Sequence, residues 1–362
     1  MKYSLIVPVF NRPDEVDELL ESLKRQTYRN FEVIIVEDGS QVRCEEVVQK
    51  YAGLLDVRYF EKPNSGPGQS RNYGANRSRG EYLIVLDSDV VLPEGYLQAV
   101  EEELAANPCE AFGGPDRAHE SFTSVQKAIN YSMTSFFTTG GIRGGKKKLD
   151  KFYPRSFNMG IKKSLYEQLG GFSDMRFGED IDFSIRIFKS GARCRLFPEA
   201  WVWHKRRTDF RKFFRQVHNS GIARINLYKR YPESLKLVHL LPAVFTIGVA
   251  VLTAIFLTGL LFAVLGLWGA FYGSKGCNMG MVVVFFGAAL MALASAPILL
   301  YKLVIFIDSS LKNHSLWVGI LSIPASFIQL LGYGTGFLRA WWLRCILGRN
   351  EELQAFKKTF YK

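Results

Sequence analysis

The sequence has few cysteines, and none of them are arranged as in a disulfide framework or a metal site. Its 362 residues contain five cysteines, an odd number, scattered without paired spacing. We expect them to be free thiols in a reducing compartment, which argues against a disulfide-rich secreted protein and a structural zinc site. The N-terminus also lacks a charged leader, a long apolar segment and a cleavage site. No signal peptide is therefore expected.

A nucleic-acid-binding motif is also missing, although the chain is basic. The formal net charge is +12, with clusters at Lys146–Lys148, Lys205–Arg207 and Arg211–Lys212. Such a charge is compatible with nucleic acid, an anionic membrane surface or a phosphorylated substrate. Because no nucleic-acid motif accompanies the charge and the last third is apolar, we favour membrane lipids and expect no nucleic-acid partner.

Long apolar runs fill the last third of the chain, at Leu237–Tyr272, Met281–Ile307 and Leu316–Leu338. Each exceeds the roughly 20 residues that cross a bilayer, and the first is too long for one upright span. The basic C-terminal tail favours a cytoplasmic end by the positive-inside rule. Since the N-terminal part is also expected in the cytoplasm, we favour four crossings, with the first run a tight hairpin. Two crossings with an in-plane segment, and less favourably three crossings, are the alternatives.

The first two thirds alternate short β-rich runs with helical patterns. Strands are predicted at Tyr3–Val9, Phe31–Val36, Val57–Phe60 and in the run that ends at Leu86. This alternation with short links predicts a doubly wound, mostly parallel α/β sheet. The later segment Thr138–Lys146 is glycine-rich and basic, and is interpreted as a mobile loop, either a connector or a lid over an anionic substrate.

Polar residues follow several of the predicted strands. Asp87 and Asp89 flank Ser88 directly after a buried strand, Asp38 ends another strand, and Asn11 follows the first. Such residues are common in turns, so each position alone says little. Together, at the edge where parallel sheets bind ligands, they favour a nucleotide site with a divalent cation held by the carboxylates. Arg71, on the helix after a glycine-rich loop, would add a cation for phosphate.

A second acidic pair, Glu179 and Asp180, begins an amphipathic pattern that continues through Phe183. Acidic residues are frequent in the first turn of a helix for electrostatic reasons. The same pair would serve as a general base that takes a proton from an attacking hydroxyl. The residues alone leave both interpretations open.

Residues 3–40, 64–97 and 155–204 together resemble the inverting glycosyltransferases of family 2, which have the GT-A fold. The resemblance covers about residues 1–230, and the motifs occur in the family's order and spacing. It implies a GT-A domain at residues 1–232. The apolar runs and the basic tail add transmembrane helices at 233–345 and a cytoplasmic tail at 346–362, so we expect a multi-pass membrane protein whose catalytic domain lies in the cytoplasm.

The resemblance implies roles for individual residues around a nucleotide-sugar, most often a UDP-sugar. Asp89 would ligate Mg²⁺ or Mn²⁺, Asp87 would lie near the ribose or the metal, and His204 would be a further metal or diphosphate ligand. Asp180 would be the catalytic base, with Glu179 beside it at the acceptor. The remaining donor-binding residues are Pro8, Asn11, Asp38, Arg71 and Asn158.

One departure from the processive family members concerns the segment before the apolar runs. Those members carry Gln-x-x-Arg-Trp there, whereas this chain has Gln216 without the Arg-Trp pair. This difference favours transfer of one or a few sugars to a lipid-linked saccharide or polyprenyl phosphate in cell-envelope glycan synthesis. The alternatives are a processive polysaccharide synthase that exports its product, and a non-catalytic membrane scaffold or transporter with a degenerate nucleotide-binding domain.

Overall fold

The computed structural model describes residues 1–117, 122–140, 153–272 and 279–353. The chain divides into two compact units: the first comprises Met1–Phe122, Lys147–Arg206 and Asn350–Lys362, and the second comprises Thr123–Lys146 and Arg207–Arg349. Most of the predicted glycine-rich loop and the end of the basic tail lie outside the described residues. The domain boundaries expected from the sequence stay a prediction.

Strands and helices alternate through the first unit, and helices make up the second. The strands are β1 (Tyr3–Val9), β2 (Phe31–Asp38), β3 (Val57–Lys62), β4 (Tyr82–Leu86), β5 (Val90–Val91), β6 (Ala111–Gly113), β7 (Asp116–Arg117), β8 (Asn158–Lys162), β9 (Cys194–Leu196) and β10 (Val202–His204). The α-helices are α1 (Pro13–Lys24), α2 (Glu45–Tyr51), α3 (Pro67–Ala75), α4 (Tyr96–Ala106), α5 (Ser124–Thr134), α6 (Phe136–Thr139), α7 (Lys163–Gln168), α8 (Glu179–Lys189), α9 (Phe210–Arg230), α10 (Leu241–Tyr272), α11 (Met279–Asn313) and α12 (Leu316–Trp341).

The larger sheet of the first unit has the order β3-β2-β1-β4-β8-β6-β9 in the described residues. Neighbouring strands pair in parallel except on the two sides of β8, which runs antiparallel to β4 and β6. The strand β4 is apolar and buried along its whole length, as expected for a central strand that is covered on both faces. The predicted mostly parallel α/β sheet is confirmed.

The sheet topology gathers the candidate residues at one edge. The parallel strands β1, β2 and β4 all end there, so the segments after Val9, Asp38 and Leu86 meet. Because β8 is antiparallel, it begins at the same edge, with Asn158 opposite Leu86. A second, three-stranded sheet in the order β5-β10-β7 adds the end of β10 to this region, with His204 opposite Val90.

The second unit contains the apolar helices. Within the described residues, three helical segments are long and apolar enough to cross a membrane: Leu237–Phe271, Met279–Asn313 and Leu316–Ile346. The hairpin expected in the first apolar run is wrong, because Leu241–Tyr272 is one continuous helix. No proline or glycine pair breaks its backbone hydrogen bonding, so the run extends as a single long helix.

Glycines set the close packing of these helices. A Cβ added at Gly259 in α10 would lie 2.7 Å from the Gly287 carbonyl oxygen of α11, and one at Gly287 would lie 2.4 Å from the Gly259 oxygen. A Cβ at Gly221 in α9 would similarly meet the Tyr333 carbonyl oxygen of α12 at 2.1 Å. Small residues allow such backbone approach, which is how helices associate in lipid.

Candidate functional site

The candidate metal centre consists of Asp87, Asp89 and His204. One ligand atom from each of the three side chains lies within 4.8 Å of the others. The pairing of β5 with β10 brings His204 beside Asp89, and its Nε2 lies 3.2 Å from Asp89 Oδ1. The two carboxylates suit Mg²⁺ or Mn²⁺, and the imidazole adds a ligand that transition-metal ions prefer. The residues present therefore fit a divalent cation.

The imidazole of His204 is held on several sides. The ring of Phe157 packs against it with a centroid distance of 4.8 Å and an interplanar angle of 30°. Burial opposes protonation of His204, but the charges of Asp89 and Asp87 outweigh it and raise its pKa above the ordinary value. The same negative potential would attract a metal cation, which binds imidazole in competition with the proton.

Further charged side chains surround this centre. Arg12 Nη1 lies 3.1 Å from Asp89 Oδ2 and 2.6 Å from Glu15 Oε2. Asp116, on the strand beside β10, accepts from Arg206 at 2.5 Å and lies 3.9 Å from His204 Nδ1. Asp89 of the centre and the neighbouring Asp116 are thus each paired with an arginine in this structure.

Arg71 links the metal centre to the second acidic pair. Its Nη2 lies 2.8 Å from Asp87 Oδ1, and its Nη1 lies 3.0 Å from Glu179 Oε1. The guanidinium is buried, with 3% of the side chain exposed, and packs 5.2 Å from the ring centroid of Phe172. Both ends of its fork are therefore committed to carboxylates in this structure, and its predicted contact with the nucleotide stays a prediction.

Glu179 and Asp180 occupy the first turn of α8, after Gly178 with a φ of 85°. Burial raises the pKa of Glu179 to about 7, against the opposing charge of Arg71. Burial also tends to raise the pKa of Asp180, but the charges of Arg155 and Arg71 outweigh burial and lower the pKa of that carboxyl. Arg155 Nε lies 2.6 Å from Asp180 Oδ2. Two adjacent carboxyl groups with separated proton affinities are typical of acid–base sites.

The other donor-binding candidates tie the loops at this edge together. The Asp38 carboxylate accepts from the backbone N–H groups of Ser65 at 2.9 Å and Gly66 at 2.8 Å, and from Lys62 at 2.5 Å. Asn11 adopts a φ of 55°, and its side-chain oxygen accepts from two backbone N–H groups of the loop after β2. These bonds fix the loop geometry from which a nucleotide would be contacted.

Pro8 and Asn158 lie on strands that meet this edge. Pro8 is opposite Val36 near the end of β1. The Asn158 side chain is fully buried, accepting from Tyr96 Oη at 2.6 Å and donating to the Ala200 carbonyl at 2.8 Å. Its amide is occupied by protein partners, and its predicted place in the sugar pocket stays a prediction.

Four charged residues of the site were not predicted from the sequence. They are Arg12, Asp116, Arg155 and Arg206. Arg12 could have been predicted, because it follows the first strand at the same edge of the sheet as Asp89. The others come from segments with poor periodicity or from the end of β10, and the local sequence does not indicate that they approach the acidic residues.

Comparison with known proteins finds similarity to glycosyltransferases. Residues 4–170 match the sequence model of the family described as Glycosyl transferase family 2, a match that ends before Glu179 and His204. An uncharacterized glycosyltransferase of Haemophilus influenzae is 35% identical over 193 residues, which are 51% of this chain and 62% of that protein. The uncharacterized glycosyltransferase EpsJ of Bacillus subtilis is 26% identical over 205 residues, 54% of this chain and 58% of that protein. The chain thus spans less than two thirds of the length of these relatives.

A solved structure extends the likeness across most of the chain. The mannosyltransferase PcManGT from Pyrobaculum calidifontis, in complex with GDP-Man and Mn²⁺, aligns with a TM-score of 0.55 and 19% identity. The alignment covers 91% of this chain and 87% of that chain. At this identity the likeness shows the fold, a GT-A-like domain followed by long apolar helices.

Proposed function

We propose that the protein is a membrane-bound, inverting, metal-dependent glycosyltransferase, because residues 4–170 match the sequence model of glycosyltransferase family 2, as the resemblance implied. The donor is a nucleotide-sugar, with a UDP-sugar expected. The acceptor is a lipid-linked saccharide or a polyprenyl phosphate of cell-envelope glycan synthesis. The catalytic unit lies on the cytoplasmic side, which the basic tail supports through the positive-inside rule.

The observation that carries this proposal is the bridge made by Arg71. It joins Asp87 of the candidate metal centre to Glu179 of the acidic pair, at 2.8 Å and 3.0 Å. A site for the donor diphosphate and a site for the proton acceptor are thus connected through one guanidinium. Transfer of a sugar needs both sites near one anomeric carbon.

The proposed reaction is a single displacement. An acceptor oxygen forms a bond to the anomeric carbon of the donor while the bond from that carbon to the diphosphate breaks. The nucleoside diphosphate leaves with the electron pair. A saccharide acceptor passes its hydroxyl proton to Asp180, whereas a phosphate acceptor attacks through an anionic oxygen that has no proton to pass. A divalent cation held by Asp87, Asp89 and His204 would stabilise the negative charge on the leaving group.

Release of nucleoside diphosphate tests the proposal. The full-length protein is assayed with a panel of UDP- and GDP-sugars, Mn²⁺ or Mg²⁺, and membrane lipid extract as acceptor. We expect turnover with one donor, and loss of it in Asp89→Asn and Asp180→Asn variants that keep the wild-type melting behaviour. If no donor is turned over, the transferase proposal is wrong. Activity that survives both substitutions would instead favour a different site.

A processive synthase remains the second candidate, since the apolar helices would suit export of a polymer. A polymeric product in the same assay would favour it, and a discrete glycolipid would favour transfer of one or a few sugars. A non-catalytic scaffold predicts that neither substitution changes function.

A further inference from the structure

Arg155 lies on a segment that is fixed to the sheet and to α8. The Asn158 N–H donates to the Arg155 carbonyl at 2.9 Å, which closes a turn at the start of β8. On the other side, Ser184 Oγ of α8 donates to the Pro154 carbonyl at 2.8 Å. The ring of Tyr153 also packs edge-on against Phe188 of α8, at 5.2 Å. The backbone of Arg155 is therefore held in place from two directions.

The Arg155 side chain covers one oxygen of the Asp180 carboxylate. Its Nε donates to Asp180 Oδ2 at 2.6 Å, while the other carboxylate oxygen accepts from the Ile181 N–H at 2.9 Å. Asp180 is 7% exposed, so a molecule that reaches its remaining lone pairs also contacts the Arg155 guanidinium. An acceptor placed for proton transfer to Asp180 therefore lies against Arg155.

Arg155 retains donors for such a molecule. Its side chain is 35% exposed, and within the described part of the chain its one side-chain partner is Asp180, through Nε. The two terminal nitrogens carry four N–H groups in a planar fork, a geometry that matches phosphate and carboxylate. Arg71 differs, because it is 3% exposed and both terminal nitrogens are bound to Asp87 and Glu179.

We propose that Arg155 binds the phosphate group of a lipid-linked acceptor and thereby positions the acceptor beside Asp180. This inference rests on the proposed function and selects, among its acceptors, those that carry phosphate, such as a polyprenyl phosphate.

Acceptor binding at Arg155 would also change the proton affinity of Asp180. In this structure the charge of Arg155 contributes to the lowered pKa of that carboxyl. A phosphate that shares the guanidinium weakens its hold on Asp180, and its own negative charge raises the pKa of the carboxyl further. The carboxylate would thus become a stronger base when the acceptor is in place.

Binding of three probes to the full-length protein in uncharged detergent micelles tests the proposal. Native mass spectrometry measures the affinities of decaprenyl phosphate and of the neutral decaprenol, and inorganic phosphate serves as a competitor. Charge-assisted hydrogen bonds of this kind correspond to roughly a tenfold to hundredfold preference for the phosphorylated lipid in the wild type. Arg155→Gln is expected to abolish that preference, and Arg155→Lys to retain part of it because the charge remains without the fork.

The control is Arg193→Gln, an exposed arginine paired with Glu110 in the same unit, which should keep the wild-type preference. The preference is the ratio of the affinities for the two lipids. A smaller folded fraction would lower both apparent affinities by the same factor and leave their ratio unchanged. If Arg155→Gln does not fold, the same ratio in Arg155→Lys decides. If inorganic phosphate displaces decaprenyl phosphate from the wild type but not from Arg155→Gln, the phosphate group itself is recognised by Arg155. Displacement that is unchanged in Arg155→Gln contradicts the assignment.

Two results would overturn the proposal: a wild type that binds both lipids equally, or an Arg155→Gln variant that folds and keeps the full wild-type preference. The nucleotide-release assay separates this inference from the proposed function. Preference that depends on Arg155, without turnover of any donor, would refute the transferase function and leave the phosphate site standing. Turnover of a donor without an Arg155-dependent preference would support the transferase function and refute the phosphate site.

Discussion

Replacement of Arg71 by methionine should destabilise the first unit strongly. The substitution leaves Asp87 and Glu179 without the cation they share at 2.8 Å and 3.0 Å, in a position where 3% of the arginine side chain is exposed. Removing one partner of a fully buried ion pair costs about 3–5 kcal/mol, and this is an upper bound here because the Asp87 side chain is 31% exposed and Glu179, with a pKa of about 7, can take up a proton. For a domain of this size about 1 kcal/mol shifts the melting temperature by roughly 2–4 °C, so a decrease of up to roughly 20 °C is expected.

Thermal unfolding of the full-length protein in detergent, followed by tryptophan fluorescence, measures this effect. The matched control is Arg193→Met, since the Arg193 side chain is 63% exposed and lies 3.2 Å from Glu110. Exposed ion pairs contribute about 0–1 kcal/mol, so the control should shift melting by at most about 4 °C. The double variant Arg71→Met with Glu179→Gln should recover part of the loss, because the uncompensated carboxylate is removed.

The reasoning is refuted if Arg71→Met melts within a few degrees of Arg193→Met. The reasoning is also refuted if adding Glu179→Gln to Arg71→Met lowers the melting temperature as much as Glu179→Gln lowers it in the wild type. Either result would mean that the guanidinium does not compensate the two carboxylates.

Three further predictions concern the metal, the acidic pair and the apolar helices. His204→Ala should weaken Mn²⁺ binding, measured by electron paramagnetic resonance, by at least about tenfold, because one of three candidate ligands is lost. The raised pKa of Glu179, about 7 against an ordinary 4.5, means that its stabilisation is complete below about pH 4.5 and lost as pH rises through 7. The melting temperature should therefore fall across that window, and fall less in Glu179→Gln. Gly259→Ala should lower thermal stability of the apolar helices, whereas Gly248→Ala in the same helix should not, because nothing lies within 4 Å of a Cβ added at Gly248.

Each of these has an outcome that contradicts it. Unchanged Mn²⁺ affinity in the His204 variant would remove it from the candidate metal centre. A wild type and a Glu179→Gln variant with parallel pH dependence would show that Glu179 keeps an ordinary pKa. Equal melting temperatures for the two alanine variants would mean that α10 and α11 do not pack at Gly259.

Local sequence patterns were sufficient for the first four strands and for the long apolar helices, and they proposed several residues of the candidate site. The apolar β-rich runs predicted the central strands, since a strand buried on both faces is apolar along its length. The parallel order then placed Asp38, Asp87 and Asp89 at one edge, because parallel strands end on the same side. The apolar runs likewise predicted long helices, although the continuous Leu241–Tyr272 helix shows that run length alone does not distinguish a hairpin from one extended helix.

Tertiary structure decided which charged groups meet. Arg71 was predicted from a loop motif, but its position between Asp87 and Glu179 depends on the packing of α3 and α8 against the same sheet. Arg155 reaches Asp180 because antiparallel β8 starts at the edge where its parallel neighbours end. His204 lies beside Asp89 because β10 pairs with β5. The sequence alone determined the candidate residues and their chemistry, whereas pairing between distant segments, which leaves no local periodic signal, determined their partners.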